Sequence, residues 1–63
     1  MGAVKDTISV GMRVEVHPST DAWMMGDRFG EVVKNGRKYI HVRMDRSGRV
    51  LQFLPVYIYD AWW

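Results

Sequence analysis

The chain has 63 residues, no cysteine and a formal net charge of +2. A length near 60 allows one domain, which buries only about 60% of the surface its unfolded chain exposes, and without cysteine no disulfide or thiolate metal site staples it. Hydrophobic residues make up 48% and charged residues 25%, which excludes a disordered composition, and the longest apolar run falls far short of the roughly 20 residues of a membrane-spanning helix.

The N-terminal MGAVKDTISVG lacks the regions of a signal peptide, so a cytoplasmic protein with no membrane partner is expected. Residues 1–9 read as a polar lead-in and residues 10–63 as one domain. From Val10 the pattern alternates, with Val10, Met12, Val14 and Val16 on one side and Gly11, Arg13, Glu15 and His17 on the other. Period two means a half-buried strand. His17-Pro18-Ser19-Thr20-Asp21 breaks it, because proline removes a donor and Ser, Thr and Asp close turns with their side chains. A loop carrying Ala22, Trp23, Met24 and Met25 runs on to about Asp27.

A second strand is expected over 28–34, and Asn35-Gly36 turns the chain into a third over 37–44. A two-residue turn would set Glu31 beside Ile40. A three-residue turn with a left-handed, bulged Gly36 puts Val32, Ile40, Val42 and Met44 on one face and Phe29, Glu31, Tyr39, His41 and Arg43 on the other. The bulged turn is preferred, since it leaves no carboxylate in the core. Asp45-Arg46-Ser47-Gly48 makes another turn, with Asp45 closing it. A fourth strand over 49–54 offers Leu51 and Phe53 to the core. Pro55-Val56-Tyr57 suits a short helical turn and Ile58-Tyr59 a last strand. No spacing of three and four is sustained, so helix is nearly absent. Five short strands in about 50 residues describe an all-β fold, a small five-stranded SH3-like barrel.

Two families share parts of this pattern. Gly11-x-x-Val14-x-Val16, followed by Gly26-x-x-x-Gly30-x-Val32, resembles the KOW-like SH3-like modules of ribosomal and transcription proteins, in which glycines let the backbone pass closely at a bent second strand. Gly11-Met12-Arg13-Val14, Ala22-Trp23 and Leu51-Gln52-Phe53-Leu54-Pro55-Val56 resemble the plasmid-borne type II dihydrofolate reductases. That likeness implies a homotetramer around a pore lined by Gln52. Phe53 and Leu54 stand where the family has Ile and Tyr, and no lysine lies between Lys5 and Lys34.

Catalytic chemistry has little support. Ser9, Ser19 and Ser47 lack a nucleophile context. His17 with Asp21 supplies two metal ligands at most, so no metal and no cofactor are expected. Asp21 and Asp27 read as solvated or capping groups.

The most informative feature is surface. Seven of the nine basic residues fall between Arg28 and Arg49, where Glu31 and Asp45 are the acids. The outward set, Phe29, Tyr39, His41 and Arg43, with Trp23, Arg28 and Arg37 at its margins, offers aromatic platforms beside cations. That combination suits stacking on unpaired bases with phosphate neutralisation. It equally suits a protein partner or a homo-oligomer seam. The tail Tyr57-Ile58-Tyr59-Asp60-Ala61-Trp62-Trp63 is expected to fold back over the barrel, with Met24-Met25 as its contact. The reading is a non-catalytic binding module for single-stranded nucleic acid or a partner protein. A type II reductase-like homotetramer and a structural assembly protein are the alternatives.

Overall fold

The structure is a computed structural model that describes residues 7–63; most of the expected lead-in, residues 1–6, lies outside them. Five strands run in chain order: β1 (Arg13–Val16), β2 (Phe29–Asn35), β3 (Ile40–Met44), β4 (Val50–Phe53) and β5 (Ile58–Trp62). A single turn of helix, α1 (Asp21–Met24), interrupts the first long loop, and a 3-10 turn (Pro55–Tyr57) separates β4 from β5. The fold is all-β and five-stranded, as the alternation requires.

All neighbours pair antiparallel in the order β4-β3-β2-β1-β5. The closed barrel expected from the sequence does not form, because β4 and β5 are both edges and do not pair with each other. Between them Pro55, which has no N–H to give, opens the 3-10 turn and ends the β4 ladder. A flat sheet would be about 10 Å thick, whereas the chain measures 27 × 22 × 21 Å. The segments outside the strands that pack on the apolar face of the sheet, with Ile8, Met12 and Ala22, contribute to that thickness.

That face holds the core. Val14, Val16, Val32, Ile40, Val42, Met44 and Ile58 are fully buried, with Ile8, Met12, Ala22 and Phe53 packed around them and Leu51 partly covered. Two expectations at the start of the domain are corrected. Val10 is exposed, since Gly11 takes a positive φ of 95° that breaks the alternation before β1 begins. Ile8, read as part of a polar lead-in, belongs to the core, where the Asn35 side-chain amide donates to its carbonyl at 2.8 Å.

The β2–β3 hairpin keeps the predicted apolar face but reaches it differently. Val32 pairs with Val42 and Lys34 with His41, so the extra residue is Val33, inside β2. Gly36 is not left-handed; its N–H donates to the Tyr39 carbonyl at 2.9 Å and closes a loop of residues 36–39. The bulge within the strand does the work expected of the turn, keeping Glu31 out of the core. Gly30 meets the close approach read from the sequence: a Cβ there would lie 2.5 Å from Val42 Cγ1 and 2.6 Å from the Arg43 carbonyl oxygen.

The first loop is more ordered than its composition suggests. Thr20 caps α1, its hydroxyl accepting from Trp23 N–H at 3.2 Å and donating to the His17 carbonyl at 2.8 Å. This turns Ala22 into the core. At the C-terminus the tail continues β5 along β1, with Trp62 opposite Arg13, rather than folding back. Trp63 lies near Gly11 and stays 78% exposed, and Met24 and Met25 remain uncovered. No described helix is long and apolar enough to cross a membrane.

Candidate nucleic-acid interface

The outer face of the sheet is set by register. One row crosses all five strands as Trp62, Arg13, Glu31, Arg43 and Val50. Beside it, towards the start of β2, lies a row of Asp60, Glu15 and Phe29. On its other side lies a row of Lys34, His41 and Gln52. The face is polarised: the row towards the 36–39 loop carries Lys34 and no carboxylate, and the opposite row carries the carboxylates of Glu15 and Asp60.

The seven residues singled out from the sequence do not share one patch. Tyr39 sits in the 36–39 loop with the Lys38 ammonium 5.4 Å from its ring centre, and Arg37 is exposed in the same loop. His41 and Arg43 follow on β3, facing out. Trp23 and Arg28 belong to the first loop, where the guanidinium carbon stands 4.4 Å from the indole centre. Phe29 faces the acidic row, its ring meeting Trp62 edge to face at 6.4 Å. Tyr39, His41, Arg43 and Arg37 are thus joined through β3 and its preceding loop, while Phe29 belongs with the tail.

Ion pairing divides the cations further. Arg43 donates to Glu31 at 3.1 Å, and Arg13 pairs with Asp45. The Asp45 hydrogen bond, with the charges of Asp45 and Glu31, raises the Arg13 pKa against the opposing effect of burial. Asp45 therefore serves Arg13 and does not close its own turn; Ser47 Oγ does, accepting from the Arg49 N–H at 3.2 Å. Arg28, Lys34, Arg37, Lys38, Arg46 and Arg49 are exposed, and none is in an ion pair among the described residues. Lys34, Arg37 and Lys38 gather at the hairpin loop. Arg28 and Arg46 lie at the other end of the hairpin, Arg46 against Gly26.

Sequence reasoning counted Lys34, Lys38, Arg46 and Arg49 in the basic stretch but did not name them as site residues. The direction of Lys34 depends on the bulge at Val33, for which the sequence carries no turn signal. It also misread Asp27, which is 6% exposed with Oδ1 lacking any hydrogen-bond partner, not solvated. Asp21 is exposed at the start of α1, as expected of a capping-region acid.

Gln52 faces out on the edge strand β4 opposite His41 and borders a separate cleft of about 470 Å³. Thr20, Asp21, Leu51, Phe53 and Tyr57 also line that cleft. The His17 ring nitrogen Nδ1 takes the Ser19 backbone N–H at 3.0 Å and lies 2.8 Å from its hydroxyl, an arrangement that closes the turn after β1. No group of three or more His, Cys, Asp or Glu among the described residues is placed to hold a metal. In comparisons with known proteins, no family model, no curated protein and no solved structure matches the chain.

Proposed function

We propose that the chain is a small non-catalytic binding module whose ligand is single-stranded nucleic acid, held along the β2–β3 half of the outer face. The observation that carries this reading is the set of six exposed cations with no described carboxylate partner, three of them gathered around Tyr39 and His41. Unpaired surface cations gain by neutralising phosphates and releasing counterions. Tyr39 offers a ring for an unpaired base, with stacking worth about 1–3 kcal/mol. Lys34, Arg37, Lys38 and Arg43 would follow the backbone. Phe29, beside Glu15 and Asp60, falls outside this track. A cytoplasmic setting goes with this reading.

Fluorescence anisotropy of a labelled oligothymidylate tests it. Engagement of three or four phosphates gives a slope of roughly 2–3 in log affinity against log salt. Tyr39→Ala and Arg37→Gln/Lys38→Gln should each weaken binding at least about fivefold. Absence of saturable binding at low salt sinks the proposal. The exposed Met24, Met25, Val56 and Trp63 then favour a protein partner instead.

A further inference from the structure

The other half of the outer face has the opposite chemistry. Glu15 and Asp60 are direct cross-strand partners on β1 and β5, facing out together. Like charges so placed repel. No described cation is in an ion pair with either: Arg13, two residues from Glu15, is held by Asp45. Among the described residues, Asp60 accepts only the N–H of its neighbour Ala61, at 2.8 Å. Two carboxylates therefore stand side by side without an ion-pair partner among the described residues.

Two aromatic rings adjoin them. Phe29 is the partner of Glu15 across β1–β2, and Trp62 lies two residues beyond Asp60 on the same face. Their rings meet at 71°, with centres 6.4 Å apart, so they form two walls of a corner. Phe29 is 42% and Trp62 40% exposed, which leaves ring surface open to a ligand. An indole face attracts a cation, and a planar guanidinium stacks on it while its N–H fork reaches carboxylates.

We propose that Phe29, Trp62, Glu15 and Asp60 form a docking site for an arginine side chain of a partner protein. The bound guanidinium lies against the Trp62–Phe29 corner and donates to the two carboxylates, relieving their repulsion. Complementarity of charge selects this occupant: the row is acidic on a chain whose overall charge is +2. The proposal is independent of nucleic-acid binding, which uses the other half of the face, so either can fail alone.

The test is a titration of the labelled protein with the peptide Ac-Gly-Arg-Gly-Arg-Gly-NH2 at low salt, followed by NMR. A citrulline version, isosteric but uncharged, serves as control. The expected result is saturable shifts centred on Glu15, Phe29, Asp60 and the Trp62 indole N–H, absent with citrulline. Glu15→Gln with Asp60→Asn, near-isosteric and on the outer face at a half-buried and an exposed position, should weaken binding at least tenfold while leaving the spectrum folded. Equal shifts with citrulline, shifts centred elsewhere, or unchanged affinity in the double variant would each overturn the proposal.

Discussion

Replacing Gly30 by alanine probes the packing that places both halves of the outer face. The new methyl carbon would sit 2.5 Å from Val42 Cγ1 and 2.6 Å from the Arg43 carbonyl oxygen. Carbon atoms prefer about 3.5–4.0 Å, so relief needs a shift near 1 Å. Val42 is fully buried, and the Arg43 oxygen belongs to the backbone of β3, so neither yields without moving β3 away from β2. Overpacking of this kind costs about 1–3 kcal/mol, and the backbone clash argues for the upper end. A chain of this length has roughly 3–9 kcal/mol to lose. With about 4–8 °C per kcal/mol, the melting temperature should fall by roughly 12–24 °C.

The matched control is Gly48→Ala. Gly48 has φ 74°, and no atom lies within 4 Å of the place its new methyl group would take, so the cost there is left-handed backbone strain alone, about 1 kcal/mol. Thermal unfolding followed by circular dichroism compares the two. A Gly30→Ala protein that melts within a few degrees of the parent, or above Gly48→Ala, refutes the close-approach account.

Other substitutions separate burial from exposure in the same assay. Ile40→Ala and Ile58→Ala, at fully buried positions, should each cost about 2–5 kcal/mol and leave little folded protein at 37 °C. Trp62→Ala should cost about 1–2 kcal/mol through loss of its contact with Phe29 and its cover on β1, whereas Trp63→Ala should change stability by less than about 0.5 kcal/mol. Equal losses at the two positions would contradict the placement of the tail along β1. Asp45→Asn removes an exposed ion pair and should cost at most about 1 kcal/mol, less in high salt. The raised Arg13 pKa contributes stability that is present in full below the guanidinium range and lost only at strongly alkaline pH. Titration of Arg13 should therefore leave the melting temperature flat near neutrality.

Much of the fold was legible because period-two alternation reports directly on which side of a strand is buried. Met12, Val14, Val16, Val32, Ile40, Val42, Met44 and Phe53 are in the core as read. The errors fall where one residue resets the pattern. Gly11 turns the chain with a positive φ and strands Val10 outside; the bulge at Val33 mimics the effect of a turn at Gly36. That the sheet stays open between its edge strands β4 and β5 was not legible, because whether two edges pair leaves no local mark in the sequence. The site was legible as composition but not as geometry. Aromatic and basic residues were identified, yet whether Phe29 joins Tyr39 or Trp62 depends on the β1–β5 register, and whether Arg43 is available depends on Glu31 beside it.

The polarity of the outer face is the claim on which the functional account turns. NMR shift mapping of the labelled protein with a short unlabelled oligothymidylate at low salt tests it most directly. The account predicts saturable shifts on Lys34, Arg37, Lys38, Tyr39, His41 and Arg43, with Glu15, Asp60 and the Trp62 indole unmoved. Shifts centred on the Asp60, Glu15 and Phe29 row, or none at all, would contradict it.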